Sequence, residues 1–290
     1  MKAPPFAYAK PSSLVEVFDL LAKGGDDAKI LAGGQSLVAT LNMRLSSPSI
    51  LIDITGVPGL AGITVTGGKL RIGALTTHRE IERSKEIAAT APLLTQAVAH
   101  IAHVAIRNSG TIGGSLAFAD PAAEWPACML AMDADFVLAS KSGERRVKAR
   151  EFFQGLYTTA LGARELLTAV EMSVLGAAYR SQFLELARRH GDYAIAGIAA
   201  MAKVEGGVLR DVRLAYLGLG ATPVLGQHAM SAIEGKAANA DAIAVTQAAL
   251  GNDLDPIGDL YSAPATKLHL ARVLTSRALV ALTAPAALGA

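Results

Sequence analysis

One cysteine, one tryptophan and a charged fraction of only 18% are the scarcities of this 290-residue chain. Its lone thiol, Cys128, forms no internal disulfide, and alone it ligates neither an iron–sulfur cluster nor a thiolate zinc site. Any redox chemistry is therefore that of a bound cofactor. Neither sign of charge dominates: 27 Lys and Arg stand against 25 Asp and Glu, a net of +2, and no basic block marks a nucleic-acid footprint. Long hydrophobic runs are missing as well, although 51% of the residues are hydrophobic and the mean hydropathy is +0.36. The uncharged stretch 87–106 is broken by Pro92, Gln96, His100 and His103, and 214–233 by three glycines, Pro223, Gln227 and His228. Neither resembles the ~20 apolar residues of a membrane-spanning helix. Residues 1–10 lack the continuous apolar core of a secretory signal, so a cytoplasmic protein without a membrane span is expected. Low charge with high apolar content excludes intrinsic disorder and points to surface covered by something other than water.

What is present reads first as a small α/β unit. Ser13 and Glu16 form a possible capping box, Leu14, Val17, Phe18 and Leu21 recur at helical spacing, and Gly24-Gly25 stops the helix. A strand near 30–32, a glycine turn, a helical stretch to Leu45 and a β-branched strand at 50–54 follow. From Gly62 the pattern becomes a meander: 63–66 and 70–72 flank Gly67-Gly68, a two-residue hairpin signal. Thr77 and Glu80 offer a second capping box, 92–104 a helix, Asp120-Pro121 another helix start, and 136–139 with 146–148 a further hairpin. After a composition break at Leu175-Gly176, 180–186, 194–204 and 208–217 read as a three-stranded sheet, with helices at 240–250 and 268–282 behind it. The alanine-rich tail from Ala284 reads as frayed.

Two glycine-rich turns stand out: Ala32-Gly33-Gly34-Gln35-Ser36-Leu37 and Thr111-Ile112-Gly113-Gly114-Ser115-Leu116. Glycine lets a backbone approach an anion closely, and successive N–H groups can line a concave nest. Neither turn matches Gly-x-Gly-x-x-Gly or the P-loop, so a nicotinamide Rossmann domain and an ATPase are unsupported. Either motif alone is more often an ordinary tight turn, and it is the pair in its context that matters.

That context resembles the FAD-binding medium subunits of the molybdenum hydroxylases, which include the bacterial carbon monoxide, quinoline and nicotine dehydrogenases. The resemblance runs almost end to end. It rests on Phe6-Ala7-Tyr8 with Pro11 and Ser13-Leu14, on the 32–37 turn, on Leu51-Ile52-Asp53-Ile54, and on Ile106-Arg107-Asn108-Ser109-Gly110 leading into the 111–116 turn. It continues through Asp120-Pro121-Ala122-Ala123-Glu124 and Gly191-Asp192-Tyr193-Ala194. Gln35 and Ser115 look like the quinoline and nicotine dehydrogenase branch.

The resemblance implies an α+β protein: a two-subdomain PCMH-type FAD-binding domain of the vanillyl-alcohol oxidase-like kind at 1–176, divided near 58, and a small C-terminal domain at 177–290. It implies FAD held without a covalent link. The backbone of Ala32, Gly33, Gly34, Gln35, Ser36 and Leu37 and of Thr111, Ile112, Gly113, Gly114 and Ser115 would hold the pyrophosphate, with Ser36, Thr111 and Ser115 adding hydroxyls. Glu124 falls where the family has an acid accepting from the adenosine ribose. Read from the residues alone, it serves equally as a first-turn helix carboxylate. Leu167 matches a position on the adenine side and Ile101 one near the flavin ring, though both also read as core. Tyr193 is the candidate to cover a ring face, or else a half-buried strand tyrosine. Several relatives carry a flavin-approaching lysine near 184 or 185, where this chain has Leu184 and Glu185.

Other constellations are weaker. His100 and His103 on one helix face lack a third metal ligand at a recognised spacing, and Cys128 and Trp125 read as core. The expected function is electron transfer. A large partner subunit would carry the molybdenum cofactor and a small one two [2Fe-2S] clusters, in a dimer of heterotrimers. Electrons would pass through FAD to an external acceptor while an N-heterocyclic substrate is hydroxylated elsewhere, and no catalytic residue or metal ligand is expected in this chain. The alternative is a self-sufficient flavin oxidoreductase of the same fold, against which the absence of a larger substrate domain speaks.

Overall fold

Strands Ala7–Ala9, Ile50–Asp53 and Ala28–Leu31 lie side by side in that order, all parallel, in a computed structural model that describes residues 2–284. Parallel pairing needs crossovers, and the helices Leu14–Gly24 and Leu37–Asn42 supply them. The first of these buries Val17, Phe18 and Leu21 and stops at Gly25, whose φ of 56° suits glycine. The Ser13 hydroxyl caps it by accepting from the Glu16 N–H, while the Glu16 carboxylate accepts from the Ser12 N–H. The box is thus displaced by one residue from the expected reciprocal form.

A second, five-stranded antiparallel sheet runs Ile63–Thr66, Lys69–Gly73, Leu166–Ser173, Asp135–Ser140 and Gly143–Lys148 in spatial order. Gly67 and Gly68, at φ 57° and 76°, close its first hairpin as a primed turn requires. Thr77 and Glu80 form the expected capping box at the start of His78–Arg83. The helix expected over 92–104 is two helices, Pro92–Val98 and Val104–Arg107, with Ala102 at φ 43° between them. The buried Arg107 guanidinium donates to the carbonyls of Ile101 and Ala102, which stabilises the break. His100 and His103 therefore do not share a helix face. The Asp120-Pro121 helix start is also displaced: the Asp120 carboxylate accepts from the Ala122 N–H in a local turn, and the helix begins at Glu124. Pro126 then falls in the first turn, where a missing N–H costs nothing.

The third sheet is antiparallel, with strands Tyr179–Ala187, Ala194–Glu205, Val208–Leu217 and, at its edge, the two residues Val224–Leu225. The three long strands are those expected from the sequence. Helices Gln227–Ile233, Ala240–Ala249 and Pro264–Thr283 cover one face, where Ile198, Ala200, Ala202 and Tyr216 meet Ala271, Leu274 and Ala278. Alternate residues point the other way, so Phe183, Ala199, Met201, Ala215 and Leu217 join the core that holds Leu93, Trp125, Phe136 and Leu167. Burial on both faces explains why 194–202 is apolar without alternation. Part of the chain's high apolar content is thus consumed internally. Among the described residues no helix is long and apolar enough to cross a membrane. The tail residues 285–290 lie outside the described residues.

Candidate functional site

The two glycine turns touch. A Cβ built on Gly33 would lie 2.2 Å from the Ser109 carbonyl oxygen and 2.8 Å from the Gly110 Cα, and one on Gly114 would lie 3.7 Å from the Ala32 Cβ. Only backbone without side chain allows that approach. Gly113 is equally constrained, because its Cβ would lie 2.4 Å from that of Ala74. The turns differ in what they offer an anion. No acceptor among the described residues takes the backbone N–H groups of Gly33, Gly34, Gln35, Ser36 or Leu37, and Gly34 has φ 71°. In the second turn Ile112 donates to Thr76, Gly113 to Ala74, Gly114 to the Thr111 hydroxyl and Ser115 to the Thr111 carbonyl. The first turn is a row of open donors, whereas the second presents hydroxyls and the positive end of a short helix, Ile112–Phe118. Gln35 folds its amide back onto the Gly33 carbonyl at 2.9 Å, which steadies the first turn.

The loop after Ile101 and the segment before Tyr193 come from distant parts of the chain and are packed together. Gly191, at φ 78°, packs so tightly on the loop after Ile101 that a Cβ there would lie 2.3 Å from the Ala102 carbonyl oxygen. The Arg188 guanidinium sits 4.2 Å above the Tyr261 ring, tethering the other end of the 188–193 segment. Ile101 itself is buried and Tyr193 is 69% exposed. Leu167 lies in the core on the strand beside Leu138.

Glu124 is buried at the start of its helix. Burial first, then the Glu185 carboxylate and more weakly that of Asp120, push its carboxyl up to about 8. Tyr193 and Tyr157 share one of these neighbours: partial burial and then the Asp120 carboxylate push both phenols up, with Glu124 adding to the effect at Tyr193. Position 185, where several relatives have a lysine nearby, holds a carboxylate with 3% of its side chain exposed. One of its oxygens is 3.7 Å from His100 Nδ1 and the other is buried without a partner. Burial and these two glutamates also push the Cys128 thiol well up, so it is an inert core residue.

A raised carboxyl in the fold means that the folded chain binds more protons than the unfolded chain between the ordinary value of 4.5 and about 8. Stability must then fall as pH rises through that window. The thermal midpoint of the flavin-free chain is expected to decline across it, and Glu124→Gln should flatten the decline. An unchanged slope in the variant would show that Glu124 is not the group responsible.

Sequence reasoning missed four residues that shape this site. His78 backs the second turn, Arg107 holds the loop at Ile101, Gly191 seats the Tyr193 segment, and Glu185 occupies the buried acid position. Arg107 and Gly191 carried a signal, since both lie inside the motifs that define the resemblance, and Glu185 stands beside the lysine position of several relatives.

A small parallel sheet and a five-stranded antiparallel sheet carrying paired glycine turns are thus continued by a helix-backed antiparallel sheet, an architecture of the mixed α+β class. Residues 4–172 match the model described as FAD binding domain in molybdopterin dehydrogenase, and residues 181–282 match that of the CO dehydrogenase flavoprotein C-terminal domain. The chain is 41% identical to 6-hydroxypseudooxynicotine dehydrogenase complex subunit alpha of Paenarthrobacter nicotinovorans, over 96% of this chain and 95% of that one. Among solved structures it resembles the carbon monoxide dehydrogenase of Hydrogenophaga pseudoflava in the form lacking the Mo-pyranopterin moiety. That match has a TM-score of 0.95 and 35% identity, covering 97% of this chain and 98% of that one. Against quinoline 2-oxidoreductase of Pseudomonas putida 86 the TM-score is 0.92 at 37% identity, with 98% of each chain covered. The chain belongs to the family of FAD-binding medium subunits of the molybdenum hydroxylases, and it is an oxidoreductase subunit with an FAD-binding domain.

Proposed function

We propose that this chain holds FAD noncovalently and passes electrons from the [2Fe-2S] clusters of a small partner subunit to an external acceptor. A large partner subunit with the molybdenum cofactor would hydroxylate an N-heterocyclic substrate, and the complex would be a cytoplasmic dimer of heterotrimers. The observation that carries this reading is the row of open N–H groups from Gly33 to Leu37 held against a second glycine turn. Similarity to quinoline 2-oxidoreductase supports a heterocyclic substrate. The units are 1–58, 59–176 and 177–290, with the turns of the first two meeting and the third bringing Tyr193.

When bound, FAD supplies the exchange of electrons. The chain's own residues position it. The N–H groups of Gly33, Gly34, Gln35, Ser36 and Leu37 donate to the pyrophosphate, with the hydroxyls of Ser36, Thr111 and Ser115 beside them. Ile112, Gly113 and Gly114 act by shape, keeping the second turn close to the first. Glu124, kept protonated at neutral pH by its surroundings, both donates and accepts at the ribose diol. Ile101 and Tyr193 border the ring, and Leu167 supports the adenine side from the core. Ser115→Ala removes one hydroxyl contact and is expected to weaken FAD binding by only ~0.5–1.5 kcal/mol. Equilibrium titration of flavin-free chain measures it, and complete loss of binding would give that hydroxyl a larger role.

The subunit's role is tested in the assembled enzyme. Substrate should still reduce the iron–sulfur clusters in a flavin-free but intact complex under anaerobic single turnover, and steady-state turnover with the acceptor should stop. Failure of substrate to reduce the clusters would place substrate oxidation at the flavin and favour a self-sufficient oxidoreductase.

A further inference from the structure

Gly110, the residue just before the second turn, is enclosed on two sides. In front lies Gly33, whose added Cβ would lie 2.8 Å from the Gly110 Cα. Behind lies the His78 ring, since a Cβ on Gly110 would lie 2.8 Å from both His78 Cδ2 and Nε2. The His78 backbone N–H also donates to the Gly110 carbonyl at 2.9 Å, and Thr77 bridges Thr111. His78 is itself held from the far side, where the indole N–H of Trp125 donates to its Nδ1 at 3.0 Å. Because an indole can only donate, Nδ1 is the bare nitrogen and Nε2 carries the hydrogen. Trp125 is fully buried and directly follows Glu124.

We propose that His78 and Trp125 form a hydrogen-bonded strut that positions the second glycine turn against the first and ties the helix start bearing Glu124 to both. The contacts run Trp125, His78, Gly110, Gly33 without a gap, so displacing the imidazole displaces Gly110 and widens the cleft between the turns. The strut requires a neutral ring. Burial, then the charge of Arg107, push His78 down to about 4, and Arg107 is itself engaged by Glu82 at 3.2 Å. His78 and Trp125 are positioning residues for the flavin, and this assignment rests on the turns holding the pyrophosphate.

The test is a double-mutant cycle in the full chain, read as the FAD dissociation constant by equilibrium titration. His78→Phe leaves the indole N–H buried without an acceptor, and Trp125→Phe leaves Nδ1 without a donor. Each is expected to weaken FAD binding on the order of tenfold. The double variant removes both polar partners and should bind no more weakly than the weaker single variant, because the two groups act as one unit. Trp125 is the only tryptophan, so its indole N–H resonance is a single NMR signal. That signal should shift when FAD binds and again in His78→Phe. If a single variant does not fold by circular dichroism, the double variant and His78→Asn, which keeps an acceptor near Nδ1 but removes the ring behind Gly110, remain to be measured. The expectation for His78→Asn is an indole signal near its original position with weakened FAD binding. Singles that fold and bind FAD within about twofold of the parent, or losses that multiply in the double variant, would overturn the strut. Gly33→Ala measured in parallel separates the two readings: unchanged FAD affinity there would reject the pyrophosphate assignment itself, whatever the cycle shows.

Discussion

Gly33→Val is expected to yield a chain that no longer retains FAD. The first added carbon already falls 2.2 Å from the Ser109 oxygen and 2.9 Å from its carbonyl carbon, and those atoms are backbone that cannot swing aside. Two further methyl groups enlarge the clash. Relief comes only by separating the 32–37 turn from the 109–115 segment, which destroys the alignment of the open donors. Backbone angle is not the cause, because Gly33 is not among the positive-φ glycines while its neighbour Gly34 is. Gly34→Ala should therefore show a milder loss, about 1–2 kcal/mol for a left-handed alanine, with some FAD retained. The flavin-to-protein absorbance ratio after gel filtration, with circular dichroism as the check on folding, measures both. A folded Gly33→Val chain with full flavin content would refute the assignment of the pyrophosphate to these turns.

The second large effect is expected at Gly191, far from either turn in sequence. Its φ of 78° disfavours any side chain, and a Cβ would lie 2.3 Å from the Ala102 carbonyl oxygen. Gly191→Val should lift the 188–193 segment off the Ile101 loop and carry Tyr193 with it. The glycine turns are untouched, so FAD content should stay near that of the parent. Turnover of the assembled enzyme should fall at least about tenfold, the effect of ~1.4 kcal/mol on a barrier. Flavin content and steady-state rate measured on one preparation separate these outcomes. Loss of flavin in proportion to rate would mean that the segment grips the cofactor instead of bordering its ring.

Much of this site was legible in the residues because it is made of local features. The Thr77–Glu80 box, the Gly67-Gly68 turn and both glycine turns are short-range motifs whose chemistry is set by neighbours in the chain. The strands 180–186, 194–204 and 208–217 could be read from β-branched and apolar content, and the structure has them at nearly those limits. Where the structure differs, a side chain has taken a main-chain partner a few residues away. The helix expected over 92–104 breaks because Arg107 donates to the Ile101 and Ala102 carbonyls. The helix expected at Asp120 begins later because that carboxylate closes its own turn. Neither event leaves a mark in hydrophobic periodicity.

The sequence by itself determined the family, the cofactor class and the existence of two glycine turns, since all three follow from residue types in fixed local order. Only the tertiary structure decided how those turns divide the work. Whether a backbone N–H is open or already satisfied depends on carbonyls elsewhere in the fold, and Thr76 and Ala74 satisfy those of Ile112 and Gly113. It also decided that Glu124 lies near Glu185 and that Trp125 bonds to His78, pairs separated by 61 and 47 positions. Burial and the charge of a neighbour act through space, so a chain read in order cannot display them.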